Sequence, residues 1–278
     1  MVDNYLTVDV EEYFEEAPSA GTSELELRLE LQIDNCLSLL ERTASRATFF
    51  FVAIRAARYP HLVHRIIGSG HEIASHGCVH DFFYALPFEQ QIVQVKDSKK
   101  ILEDIAGQAV VGFRAPFFSI IRKNASLLKI IAGAGYEYDS SVFPGSHPRY
   151  GWPDASATPY LIRICDNLSL LELPPTTVKL LFWRIGLGGG AYLRILPQWM
   201  TMKALRKTAA RNIPLVLYFH PWELDPEQPR LSLGASFAFR HYSGLKTTEQ
   251  RLGRILSEFR FTNCSCALSQ KYDTVSLP

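Results

Sequence analysis

Short, continuous apolar runs alternate along this chain with longer stretches of helical spacing. The run 5–10 is β-rich and ends in acids at Asp9, Glu11 and Glu12, and 47–52 carries Thr-Phe-Phe-Phe-Val. Runs of this length without a polar face predict strands covered on both sides. The same reading predicts strands over 71–75, 110–113, 136–141, 168–173 and 214–219, and a β-like end over 261–268. Between them, apolar residues at helical spacing predict helices over 23–43, 60–67, 88–105, 124–134, 197–211 and 246–259. The first of these alternates in its early part and turns helical later.

Seven strands separated by helices call for a parallel sheet with covering helices, either a barrel or a doubly wound sheet. In both, catalytic groups gather beyond the carboxyl ends of the strands. Asp9, Glu11, His76, Arg114, Asp139 and His220 all stand just past such ends. That shared placement predicts one site, and a barrel brings the six together most easily.

Composition narrows the class. Hydrophobic content of 47% and charged content of 21% describe an ordinary globular protein of 278 residues. A net charge of +1 without a Lys/Arg stripe argues against nucleic acid or an anionic membrane as the main partner. No apolar run reaches the length of a transmembrane helix. The first residues show no basic region followed by an apolar one, so a cytoplasmic protein is expected. Cys36, Cys78, Cys165, Cys264 and Cys266 are odd in number and lack a disulfide or zinc-ribbon spacing, which favours a reducing compartment.

The stretch His71-Glu-Ile-Ala-Ser-His-Gly-Cys-Val-His80 organises the chemistry. If the chain is helical there, His76 and His80 share one face and can grip one cation. Two histidines on a solvated turn are the plain alternative. Cys78 between them is expected to point into packing. Asp9 and Glu11 stand two apart, on one side of a continuing strand, and could supply a ligand and a base; otherwise they are strand-end acids capping a helix. Arg114, in an apolar setting, needs a carboxylate, and Asp9 or Asp139 is available. His220 ends a buried strand and could be a satisfied core residue or a proton donor held by Asp139. The glycine run 186–190 lacks the Lys-Ser/Thr of a phosphate loop and reads as a flexible or close-packed loop. Trp152, Trp183, Trp199 and Trp222 offer flat faces for sugar rings, with at least half expected in the core. His61, His64, His147 and His241 receive no role.

Taken together, these residues resemble the polysaccharide deacetylase family, the NodB-like carbohydrate esterases. Thr7-Val8-Asp9-Val10-Glu11, Ser75-His76-Gly77-Cys78-Val79-His80, Arg114-Ala115-Pro116-Phe117, Asp139-Ser140-Ser141 and Leu217-Tyr218-Phe219-His220 are similar to its five motifs, in its order. The resemblance spans about residues 5 to 222. It implies a distorted (β/α)7 barrel of the NodB type and a metal-dependent hydrolase removing N-acetyl groups from glycan sugars. It implies Asp9 as base, with Glu11, His76 and His80 as ligands of a divalent metal, zinc first and cobalt, nickel or iron as alternatives. It implies that Arg114 braces Asp9, that the backbone N–H of Phe117 serves the oxyanion, and that Asp139 orients His220, the acid. The family's first motif commonly has adjacent aspartates, so Glu12 stands as the substitute ligand if the strand bulges.

Asp-Val-Glu-Glu-Tyr-Phe, Leu173-Pro174-Pro175 and Arg240-His241-Tyr242 look like an exosortase-associated exopolysaccharide subgroup. One domain over 1–278 is expected, with 145–200 and 223–278 as subgroup additions around the barrel. The implied partner is an N-acetylated glycan, met as a polymer or as a lipid-linked precursor at the inner membrane face. Two rivals remain: a hydrolase of another C–N bond, in a small amide or formyl-sugar, and a non-catalytic carbohydrate-binding relative.

Overall fold

The computed structural model describes residues 3–15, 27–147, 149–180 and 183–277. The chain opens with β1 (Asn4–Val10), α1 (Leu29–Arg42) and β2 (Thr48–Phe51). Two short helices, α2 (Ala53–Arg58) and α3 (Pro60–Gly68), lead into β3 (Glu72–Ser75), and α4 (Phe88–Ala106) leads into β4 (Gly112–Phe113). After α5 (Leu127–Gly133) come β5 (Tyr138–Asp139) and an antiparallel pair, β6 (Tyr160–Cys165) and β7 (Leu168–Glu172). A separate hairpin of β8 (Thr177–Leu180) and β9 (Trp183–Gly186) precedes α6 (Gly190–Ile195), α7 (Gln198–Ala209) and β10 (Val216–Phe219). The chain ends with α8 (Ala235–Tyr242), α9 (Leu245–Glu258), β11 (Phe261–Thr262) and β12 (Thr274–Ser276).

The seven expected strands form one parallel ladder in the order β10-β1-β2-β3-β4-β5-β7. Each parallel step needs a crossover, and the helices supply most of them. The ladder is a distorted seven-stranded barrel with one seam, between β7 and β10. There the chain leaving β7 takes the place of strand pairing: Thr176 N–H donates to Val216 O (2.9 Å) and Val216 N–H to Thr176 Oγ1 (2.8 Å). Tyr218 N–H reaches Gly188 O at 2.6 Å. Stretches 145–200 and 223–278 are woven into the same sheet, contributing β7, β6, β11 and β12.

Strand alternation sorts side chains onto two faces. Leu6, Val8, Val10, Phe49, Phe51, Ile73, Phe113, Leu217 and Phe219 face outward into the large core under the helices. Tyr5, Phe50, Ala74, Tyr138, Leu171 and Val216 face inward and fill the bottom of the barrel. The inward positions that follow at the carboxyl ends are Asp9, His76, Arg114, Ser140 and His220.

The expected helix over 23–43 is observed from Leu29 to Arg42, and 23–26 lies outside the described residues. The end expected to be β-like holds only a two-residue strand before a 3₁₀ segment, Cys264–Ser269. All five cysteines are free thiols. Among the described residues no helix is long and apolar enough to cross a membrane.

Candidate active site

A cleft of about 330 Å³ opens over the carboxyl ends of the strands, and Asp9, Glu11, His76, His80, Phe117 and His220 all line it. Arg114 and Asp139 lie behind its wall, fully buried.

Glu11, His76 and His80 offer ligand atoms that all lie within 4.8 Å of one another. The histidines converge by a route other than the helix expected. Residues 76–80 form an irregular turn after β3, with Gly77 at φ +77°, a conformation glycine adopts without penalty. His76 Nδ1 lies 2.8 Å from Arg114 O, so Nδ1 carries the proton and Nε2 is left as the ligating atom. Burial, then the neighbouring His80, pushes His76 well below its ordinary pKa and keeps it neutral, as a ligand must be. His80 Nε2 contacts Glu11 Oε2, and the two imidazoles are 5.4 Å apart. Burial pushes Glu11 up, but the facing His80 and His220 outweigh it and hold the carboxyl below its usual range.

Glu12 is turned away from the cluster. Its carboxylate accepts from the Arg28 backbone N–H at 3.3 Å, and burial raises it to about 7. Cys78 also points elsewhere, with Sγ 3.6 Å from Gln94 O.

Asp9 is gripped by Arg114, whose Nη1 lies 2.6 Å from Oδ1 and 2.7 Å from Thr7 Oγ1. Arg114 in turn donates Nε to Ser140 O (3.0 Å) and Nη2 to Ser140 Oγ (2.7 Å), and its guanidinium covers the Phe50 ring at 4.3 Å. A fully buried guanidinium held this way is rigid, and so is the carboxylate it faces.

Asp139 departs from the sequence expectation. Tyr138, Leu171 and Leu173 pack on the inner face, so alternation turns Asp139 and Glu172 to the outer one. Asp139 accepts from Ser141 Oγ (2.6 Å) and from Ser141 N–H (3.0 Å). Burial raises Asp139, and burial plus the facing Asp139 raises Glu172 well above the usual range. Among the described residues the carboxylate bonded to His220 Nδ1 is instead that of Glu223, whose Oε1 lies 2.6 Å away. The opposite ring nitrogen, Nε2, lies 3.6 Å from Glu11 Oε1. Burial would raise Glu223, but Arg194 and His220 hold it at about 2, ionised at any working pH.

Glu223 and Arg194 are the residues sequence reasoning missed. A signal existed: Pro221 opens a 3₁₀ turn directly after β10, and a glutamate three residues beyond His220 is the spacing of a capping box. Glu223 indeed also accepts from the His220 backbone N–H at 3.1 Å. Trp222 stacks on His220 at 5.2 Å and donates to Glu11 Oε1 at 3.2 Å, so it is a wall of the site. Trp152 is core and Trp199 is 68% exposed, while the Trp183 side chain lies outside the described residues. His147 and His241 line the cleft. His241 stacks on Trp222 at 4.4 Å, and burial lowers its pKa to about 4.

Phe117 and Phe118 both adopt left-handed backbone, φ +57° and +51°, at the corner facing His80. Consecutive non-glycine residues there cost about 1–3 kcal/mol each and persist where surroundings over-determine them. Here Phe117 is clamped between His80 (4.3 Å) and Phe82 (4.0 Å).

Residues 30–138 match the family described as polysaccharide deacetylase, and 140–269 a domain of unknown function, DUF3473. A peptidoglycan deacetylase from Helicobacter pylori is 26% identical over 144 residues, 51% of this chain. The match spans 44% of that relative, less than half its length. A Mycobacterium smegmatis structure described as a polysaccharide deacetylase superposes with a TM-score of 0.63 at 19% identity, covering 100% of this chain and 96% of its own. The allantoinase Puue superposes with a TM-score of 0.61 at 14% identity, covering 97% and 91%. At such identities the two structures speak for the fold alone.

Proposed function

We propose, from a chain whose residues 30–138 belong to the polysaccharide deacetylase family, a metal-dependent hydrolase that removes N-acetyl groups from sugars of a polysaccharide or its lipid-linked precursor. One observation carries the reading. The buried Glu11, His76 and His80 cluster stands between an arginine-braced aspartate and a glutamate-held histidine, in one cleft.

The donor set fits a divalent cation: two imidazoles and one carboxylate in mutual reach, one imidazole neutral with its outer nitrogen fixed. Zinc suits it first, and cobalt, nickel or iron share the preference. Bound there, such an ion supplies Lewis-acid polarisation and lowers the pKa of water.

The rest falls to the chain's own residues. Asp9, aimed by Arg114, takes the proton from the attacking water. The N–H of Phe117, at its strained corner, is assigned to the oxygen that becomes negative as the carbonyl is attacked. His220, steadied through Nδ1 by Glu223, delivers a proton from Nε2 to the departing amine.

Acetate release from defined N-acetylglucosamine oligomers, with and without chelator, tests the reading. Release that stops with the chelator and returns with zinc is expected. Release unaffected by complete metal removal, or hydrolysis of small amides alone, would overturn it. His76→Ala should lose the ion itself, read by elemental analysis.

A further inference from the structure

Among the described residues the acids lining the cleft are Asp9 and Glu11, and both are committed, to Arg114 and to His80. Arg149, Arg194 and Arg240 line it as well. Arg194 is occupied by Glu223 (2.6 Å) and by the carbonyl oxygens of Arg240, His241 and Ser243. Arg149 and Arg240 have no carboxylate partner among the described residues.

Arg149 is the more telling of the two. Its Nε is buried without a hydrogen-bond partner among the described residues, a costly state for a charged donor. Its guanidinium lies over Phe82 (5.9 Å) and Phe117 (5.8 Å), and Phe117 is the ring against His80. Only one aromatic ring therefore separates this fork from the cluster where the acetyl group is proposed to react. Arg240 rests near Phe237 at 5.4 Å. His147, which also lines the cleft, is lowered to about 4 by burial and by these two arginines, so it stays neutral and adds no positive charge to theirs.

We infer that Arg149 and Arg240 form an anion subsite, and that the substrate is an acidic N-acetylated glycan with a carboxylate or phosphate on or beside the sugar to be deacetylated. A planar guanidinium matches both oxyanions, and aromatic surroundings shield the pairing from water. The inference rests on the deacetylase reading for its acetyl group, but its anion does not.

Equilibrium binding separates the two. Zinc-loaded protein is titrated with three probes: a neutral N-acetylglucosamine tetramer, a tetramer alternating N-acetylglucosamine with glucuronic acid, and N-acetylglucosamine 1-phosphate. At least one acidic probe should bind about tenfold more tightly than the neutral one, an advantage that shrinks with added salt. The probe that shows it identifies the anion as carboxylate or phosphate. In the Arg149→Ala/Arg240→Ala double variant that advantage should vanish, and Arg149→Lys should keep part of it. Equal affinity of wild-type protein for all three probes overturns the inference without reference to any variant. So does a preference that survives in the folded double variant. Acidic preference without acetate release would retain the anion subsite and remove the deacetylase reading. Acetate release without acidic preference would do the reverse.

Discussion

Asp9 and Asp139 are both buried aspartates at strand ends, yet their surroundings give them different work. Asp9 faces inward, paired with Arg114. Asp139 faces outward, bonded to Ser141 and facing Glu172. Asp9→Asn should therefore cost about 10²–10⁴-fold in acetate release, the usual worth of a general base, while the protein still binds zinc. Full turnover by that variant would end the base assignment. Glu223→Gln should lower kcat by up to about 10²–10⁴-fold, because His220 loses the charge that holds it. Asp139→Asn should lower kcat less, and the reverse ranking, measured on metal-loaded enzymes, would return the orienting role to Asp139.

Short elements set these side chains in place. The loop before α6 passes so close to β10 that a Cβ on Gly189 would lie 1.8 Å from Tyr218 O. The glycine run is thus close-packed, one of the two alternatives its sequence left open. Gly189→Ala should destabilise the protein by about 1–3 kcal/mol through overpacking, read from the urea midpoint. Arg194, on α6, ties Glu223 to the carboxyl end of α8. Arg194→Met removes the partner of a buried carboxylate and should cost about 3–5 kcal/mol. A midpoint within error of wild type would show that the tie is dispensable. Several elements escaped the sequence reading: α2 and α6 at 6 residues each, β6 paired antiparallel beside β7, and the β8–β9 hairpin. Pieces this short carry too few periods for a pattern to register.

At the scale of the whole molecule, burial ties stability to pH. Burial and Arg46 hold His71 at about 4, below its ordinary 6.5. The unfolded chain takes up that proton first, so this contribution is intact above about pH 6.5 and lost as the pH falls toward about 4. His147 and His241, also near 4, act in the same direction. His71→Gln should flatten the decline in urea midpoint between about pH 7 and pH 5; an unchanged slope would clear His71 of the effect. The seven parallel strands, the rim at their carboxyl ends and the residues Asp9, Glu11, His76, His80, Arg114 and His220 were legible in the chain. Apolar runs, strand-ending polar residues and motif order are local properties. Which face of β5 carries Asp139 was not legible, since a strand buried on both sides shows no polar alternation. Nor was the turn of 76–80, the fold-back of Glu223 onto His220, or the pairing of Arg194 that leaves Arg149 and Arg240 over. Those follow from how distant segments share space and charge, and only the packed barrel determines that.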